Sequence, residues 1–182
     1  MSVKGTFNRY KLFARKARFM AMKNGFKRAD YLRKHNELKA IGDNVYYYSR
    51  IYPSDPKLLK MGNNVVICTN VRFVGHDRVD IMLSGMFGKK YSKFYAPIEI
   101  GNNVFIGADT VILPNVRIGD NTVIGAGAVV SKDLPGGSVW GGCPAKRIGS
   151  FDDFIKKRKE NLNPIKDADK LWDLFYKSKE KH

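Results

Sequence analysis

The chain has 182 residues, roughly one domain on the usual scale, and 43% of them are hydrophobic, which excludes a disordered chain. Lys and Arg number 33 against 17 Asp and Glu, for a net charge of +16. Only two cysteines are present, Cys68 and Cys143, so a disulfide scaffold is excluded. No apolar run approaches the ~18 residues of a membrane span. We therefore expect a cytoplasmic protein.

The N-terminal end is strongly basic, with 12 Lys and Arg against 2 Asp and Glu in residues 1–40. Apolar residues recur at three-to-four spacing from residue 7 to 39, which predicts helix. Asn24-Gly25 predicts the stop of a first helix, and a second is expected from about Ala29 to Lys39. Two interpretations remain open: a helical cap packed on the body, and a basic surface that meets anionic lipid or an anionic substrate.

The middle of the chain repeats every six residues. An aliphatic residue opens each of six consecutive units, and a small or β-branched residue holds the fifth position in five of them. The units open at Ile100, Ile106, Ile112, Ile118, Ile124 and Val130. A period of six fits neither a helix nor an alternating strand. It predicts a flat strand followed by a corner, with Gly and Asn in left-handed backbone conformations. Three units make one triangular coil, and stacked coils bury an aliphatic column.

These repeats resemble the hexapeptide-repeat acyltransferases, and most closely the sugar and polysaccharide O-acetyltransferases of the maltose and galactoside type. The resemblance covers roughly residues 31–160 and is sharpest from Ile98 to Ile148. The stretch Val71-Arg-Phe-Val-Gly-His-Asp77 is similar to the segment that carries the catalytic histidine in that family. The implied fold is mainly β: a left-handed parallel β-helix with helical caps at both ends.

This resemblance and the composition divide the chain into three regions. A basic helical region spans 1–40, the β-helix acyltransferase domain spans 41–150, and a C-terminal helical cap spans 151–182 with Pro164 interrupting it. Residues 77–97 do not follow the repeat, and we expect them to form an outward loop that shapes the acceptor site.

Of the three histidines, His35 lies in the basic region and His182 at the chain end. Acyl transfer to a hydroxyl needs a base such as imidazole, and the resemblance identifies His76 as the candidate, although a histidine without that resemblance would be read as structural. By resemblance, His76 removes the proton of a sugar hydroxyl, which then attacks the thioester of acetyl-CoA directly. Asp77 is a candidate orienting or acceptor-contacting group. Asn70 and Arg78 are candidates for acceptor binding.

Acetyl-CoA needs exposed N–H groups and cations for its phosphates. By resemblance, the donor site takes its contacts from one set of residues in the last repeats: Ala108, Ala126, Gly127, Ser131, Lys132 and Lys146. No metal site is expected, and a metal-dependent carbonic anhydrase is excluded by the single histidine in the repeats.

The acceptor stays open. A saccharide is favoured, while serine, a xenobiotic alcohol and a nucleotide-linked amino sugar remain alternatives, as does a non-catalytic scaffold. The resemblance implies a homotrimer with active sites between subunits. We expect no nucleic-acid partner, and a weak contact of the basic N-terminus with the inner face of the membrane.

Overall fold

The structure, a computed structural model, describes residues 3–159 and 167–180, with side chains from residue 12 onward. The chain forms two compact units, Met1–Phe151 and Asp152–His182. None of the described helices is long and apolar enough to cross a bilayer.

Most of the first unit is built from short strands that form three sheets. We number strands in chain order and call the sheets faces A, B and C. Face A contains β1 (Ala40–Ile41), β3 (Leu59–Met61), β6 (Ile98–Ile100) and β9 (Val116–Ile118). Face B contains β2 (Val45–Tyr47), β4 (Val65–Ile67), β7 (Val104–Ile106), β10 (Thr122–Ile124), β12 (Ser138–Gly141) and β13 (Lys146–Ser150). Face C contains β5 (Arg72–Phe73), β8 (Val111–Ile112) and β11 (Val129–Val130).

The chain visits the faces in the order A, B, C and then begins the next coil. Neighbouring strands are parallel throughout, except that β13 returns antiparallel along β12. From the third coil to the fourth, Ile98 pairs with Val116, 18 positions on, which equals three units of six. The predicted triangular coil of parallel strands is therefore present.

The core is the aliphatic column that the repeat predicts. All six residues that open the repeat units are at most 1% exposed. The residues at the fifth positions are buried as well: Val104, Thr110, Val116, Thr122, Ala128 and Leu134. The two inward positions of each unit thus fill the interior from all three faces.

Asparagines occupy the corners in left-handed conformations, as predicted. Asn44, Asn64, Asn103 and Asn121 all have positive φ, and their side-chain amides form a hydrogen-bonded ladder from coil to coil at 2.8–2.9 Å. The repeat glycines were predicted in the same conformation, and this is confirmed for Gly127, at φ +70°, but is wrong for glycines at the second position of a unit, such as Gly62. A Cβ on Gly62 would lie 2.6 Å from the Asn102 side chain and 2.8 Å from the Gly101 backbone, so this position needs glycine because adjacent coils approach closely.

Two N-terminal helices precede the coils, α1 (Val3–Ala21) and α2 (Gly25–Lys34). The second starts earlier than predicted, because the Asn24 side chain accepts hydrogen bonds from Phe26 and Lys27 N–H and so caps α2 instead of ending α1. Arg28 of α2 is fully buried and donates to the carbonyls of Tyr47 at 2.8 Å, of Tyr48 at 2.7 Å, and of Met22. This guanidinium joins α2 to the first strands of face B.

An insertion separates the second coil from the third. Leu59 pairs with Ile98, 39 positions on, which exceeds the 18 of a regular coil by 21 residues. The predicted loop 77–97 contains a helix, α3 (Val79–Phe87), so the expectation of a plain loop is wrong. Gly88, at φ +62°, ends this helix.

Two helices follow the coils, α4 (Phe151–Lys159) and α5 (Ala168–Lys179), and all of their residues except Phe151 belong to the second unit. Asp152 and Asp153 lie in the first turn of α4, where they face the positive end of the helix dipole. Asp167 caps α5 through its side chain. Pro164, at the predicted interruption, lies outside the described residues, and the role of this unit as a cap stays a prediction.

Candidate active site

His76 lies where the second coil leaves face C for the insertion. Its backbone pairs with Tyr95 in an isolated antiparallel bridge, and Ala96 N–H donates to Gly75 C=O at 3.0 Å. The two ends of the insertion are therefore held together beside His76. The ring centres of His76 and Tyr95 are 5.4 Å apart.

The partner of His76 is Asp55. His76 Nδ1 is 2.5 Å from Asp55 Oδ2, and the side chains are 24% and 17% exposed. Ser54 Oγ donates to the same carboxylate oxygen at 2.9 Å. Asp55 lies in the irregular segment between β2 and β3, directly before a short 3₁₀ helix, Pro56–Leu58. One carboxylate thus holds the imidazole from a preceding coil.

Gly75 allows this contact. A Cβ at that position would lie 2.8 Å from both Cβ and Oδ2 of Asp55, closer than real Cβ contacts come. The residue before the histidine must therefore lack a side chain for the carboxylate to reach Nδ1.

This geometry suits a general base. A carboxylate at Nδ1 holds the proton on that nitrogen and leaves the Nε2 lone pair to accept another. Within the part of the chain that the structure describes, Nε2 makes no hydrogen bond. A depression of about 360 Å³ is lined by Asp55 and Tyr95, the two residues that contact the His76 ring, together with Ser54, Pro56, Lys57 and Leu58.

The other predicted acceptor-side residues have local contacts. Asp77 Oδ1 accepts from Val79 N–H at 3.2 Å at the start of α3, so the orienting contact to His76 comes from Asp55 and not from Asp77. Arg78 is exposed and donates to Asp80 at 3.3 Å. Asn70 donates to Asp109 at 3.0 Å in the corner before β5, at the opposite end of that strand from His76. The structure therefore does not bring Asn70 to the histidine.

Three of the predicted donor-site residues, Ala108, Ala126 and Gly127, lie at the corner between faces B and C. Gly127 N–H donates to Ala108 C=O at 2.8 Å, and Val129 N–H donates to Gly142 C=O at 3.1 Å, so three successive coils stack there. Gly127 has φ +70° and open space around its Cα, while Ala126 is exposed. These small residues leave backbone groups accessible, as the pantetheine arm of CoA requires.

The two predicted phosphate-binding lysines lie at different ends of face C. Lys132 follows β11 and Lys146 begins β13, and both are exposed, as is Ser131. Lysines there are suited to phosphate as point charges, without the bidentate grip of arginine. The residues present thus fit the phosphate-bearing end of CoA.

The cysteines give no support to a thiol mechanism. Burial raises the pKa of the Cys68 thiol, which disfavours the thiolate. Cys143 is exposed beside Pro144. Among the residues that the structure describes, no group of three or more His, Cys, Asp or Glu could hold a metal ion.

Asp55 is the residue that sequence reasoning missed. It lies 21 positions before His76 and outside the repeats. The two residues meet because one turn of the coil separates them along the chain. The signals that point to it are Ser54-Asp55-Pro56 in the irregular stretch of that coil and the glycine directly before His76.

Comparisons with known proteins agree with this fold. Residues 97–132 match the family "Bacterial transferase hexapeptide (six repeats)". The chain is 44% identical to CapG of Staphylococcus aureus over 119 residues, 63% of this chain and 66% of that protein. It is 31% identical to YvoF of Bacillus subtilis over 150 residues, 81% of this chain and 78% of that one. Galactoside acetyltransferase in complex with coenzyme A superimposes with a TM-score of 0.61 at 28% identity, covering 86% of both chains.

The repeats, the three-faced coil and these relatives define the class: the chain belongs to the hexapeptide-repeat acyltransferase family, whose coils are left-handed β-helices. Within that family, its similarity includes the galactoside O-acetyltransferase of Escherichia coli, 41% identical over 118 residues. Those residues are 64% of this chain but 56% of the relative, so this chain spans little more than half of that enzyme.

Proposed function

We propose that this protein transfers an acetyl group from acetyl-CoA to a hydroxyl of a saccharide, with His76 as the general base. The observation that carries the proposal is the contact of His76 Nδ1 with the carboxylate of Asp55, which also lines an open depression. A solved relative that binds coenzyme A, named galactoside acetyltransferase, supports both the donor and the acceptor class.

In the proposed reaction, Nε2 of His76 takes the proton of the acceptor hydroxyl as its oxygen attacks the thioester carbonyl. The new C–O bond forms and the C–S bond then breaks, so CoA leaves as a thiolate that receives the proton from the imidazolium. Asp55 stabilises the transient positive charge on the ring and keeps it in one tautomer.

The corner with Ala108, Ala126 and Gly127 lies at the opposite end of the face C strands from His76, whereas Lys132 lies at the same end as His76. A site completed by a neighbouring chain would bring that corner and His76 together, and the active unit we propose is a homotrimer.

An apolar row runs along the outward positions of face B. Phe26 of α2 packs on its first member, Tyr46, and Val123 is buried, while Phe105, 40% exposed, offers a subunit contact. The members of the row are in register across five strands: Tyr46, Val66, Phe105, Val123 and Val139.

The first test measures CoA release with a panel of saccharide acceptors. His76→Ala and Asp55→Asn should lower kcat by ~10²–10⁴-fold, because the second removes the charge that fixes the tautomer. Asp77→Asn is the matched control, since an asparagine there still accepts from Val79 N–H, and its kcat should stay within ~5-fold of wild type. Equal activity of wild type and Asp55→Asn, with any acceptor, would exclude the proposed base.

A second test locates the donor site. Calorimetric titration with acetyl-CoA should show saturable binding that survives in His76→Ala and weakens in Lys132→Ala/Lys146→Ala. Mixing these two inactive variants after joint unfolding and refolding should restore about a quarter of wild-type activity, if each site combines two chains of a randomly mixed trimer. A mixture that stays inactive while light scattering shows trimers would place the whole site within one chain.

Serine, xenobiotic alcohols and nucleotide-linked amino sugars belong in the acceptor panel, because the same base and donor site would serve them. Absence of acetyl-CoA binding by the folded protein would instead favour a non-catalytic scaffold.

A further inference from the structure

Helix α3 of the insertion is apolar, and none of its residues is buried. Ile81, Met82, Met86 and Phe87 are each 56–65% exposed, although they are among the most apolar side chains of the chain. Contiguous apolar surface of this kind marks a site of interaction with a partner or a membrane.

Basic side chains follow the helix at once. Gly88 ends α3, and Lys89 and Lys90 come next, both exposed. Lys89 lies over the Tyr91 ring at 5.4 Å, and Lys93 lies over the Tyr95 ring at 4.8 Å. Lysines beside aromatic rings and exposed aliphatic residues are typical of segments that lie in the headgroup region of a bilayer, where stems are buried and ammonium groups meet phosphate.

Charge favours an anionic bilayer as the surface that covers this helix. The insertion has Asp77 and Asp80 as its acidic residues, and both side chains already accept hydrogen bonds at the start of α3, so Lys89 and Lys90 are left to bind an external anion. An anionic bilayer matches both the apolar helix and the lysines that follow it.

We propose that residues 77–97 dock on an anionic lipid surface, with the apolar side chains of α3 entering the interface and Lys89 and Lys90 binding lipid phosphates. The sequence-based expectation assigned a membrane contact to the basic N-terminus, and the insertion is a different surface. The backbone bridge from Tyr95 to His76 ties this surface to the candidate base. Docking would hold the acetylation site close to an acceptor carried on the membrane.

The test is co-sedimentation of the full chain with phosphatidylcholine vesicles, with and without phosphatidylglycerol. Wild type should bind the anionic vesicles and not the neutral ones. Lys89→Gln/Lys90→Gln should weaken binding about 25-fold, at about 5-fold per lysine near the surface. The charge-matched control, Arg18→Gln/Lys23→Gln, removes two exposed cations from the N-terminal region and should weaken binding by less than 5-fold.

A second double variant distinguishes entry of apolar side chains into the bilayer interface from electrostatic attraction alone. Met86→Ser/Phe87→Ser keeps every charge and should weaken binding at least 10-fold, because two exposed apolar side chains no longer enter the bilayer. Circular dichroism should show an unchanged fold, since neither side chain is buried.

Three outcomes would overturn the proposal. The first is equal binding by wild type and both insertion variants, and the second is a larger loss in Arg18→Gln/Lys23→Gln, which would return the contact to the N-terminus. The third is a change of mass by light scattering in Met86→Ser/Phe87→Ser, which would show that a second copy covers α3. None of these readouts requires acetyl transfer, so this proposal and the proposed function fail separately.

Discussion

Gly75→Ala probes the candidate base without touching an ionisable group. The added Cβ would lie 2.8 Å from Asp55 Cβ and Oδ2, whereas ordinary contact begins at 3.4 Å, so the carboxylate must retreat by about 0.6 Å or more. Asp55 has little room to adjust, because Pro56 follows it and Ser54 Oγ holds its oxygen. The backbone at Gly75 is not left-handed, so space is the one cost of the substitution.

Misplacement of this size lowers kcat by ~10–100-fold, and the overpacking costs about 1–3 kcal/mol in the free energy of unfolding. The assay is CoA release with the best saccharide acceptor, at saturating acetyl-CoA, together with urea unfolding.

Gly85→Ala is the matched control, because nothing lies within 4 Å of its Cβ position and it is inside α3. It should gain ~0.5–1 kcal/mol of stability and keep its kcat. The reasoning is refuted if Gly75→Ala turns over like wild type, or if Gly85→Ala loses as much activity.

Two further predictions concern the coils. Arg28→Met should lower the free energy of unfolding by ~3 kcal/mol or more, because three carbonyls lose a buried charged donor. Asp120→Asn should make the protein less sensitive to acid. The backbone N–H of Asn102 lowers the pKa of Asp120 below its ordinary 3.8, so its stabilising effect is present above that value and is lost as pH falls through the folded pKa.

Each has its own check. For Arg28→Met the measurement is urea unfolding, with Arg72→Met, an exposed position on face C, expected within ~0.5 kcal/mol of wild type. For Asp120→Asn the measurement is Tm between pH ~5 and ~2.5, where the variant should lose less than wild type. Asparagine already accepts the same hydrogen bond at Asn63 and Asn102, so the fold tolerates it. Parallel Tm curves would contradict the assignment.

The repeat was sufficient to predict the solenoid, because its period maps directly onto which side chains are buried. Ile106 and Thr110, for example, occupy the first and fifth positions of one unit, and both are fully buried. Helix α3 was not predicted, because its apolar residues face no core and a helix of nine residues carries a weak periodic signal.

The candidate site was only half predictable for a different reason. His76 stands out as the one histidine of the repeats. Its partner Asp55 is one of many acidic residues, and only the stacking of successive coils shows that it reaches His76. The role of the glycines at the second position of a unit was also assigned wrongly, since the close approach of adjacent coils, as at Gly62, has no counterpart in a local turn rule.

The insertion between the second and third coils has a consequence for how such proteins diversify. Leu59 and Ile98 pair as if the 21 residues in excess of a regular coil were absent, so the strand pairing of the solenoid does not depend on the length of the inserted segment. Closing 39 positions instead of 18 costs only about 0.7 kcal/mol of loop entropy. The segment beside the histidine is therefore free to change in length and chemistry from one relative to another while the coils stay intact, and new acceptors or surfaces can be acquired there without redesign of the core.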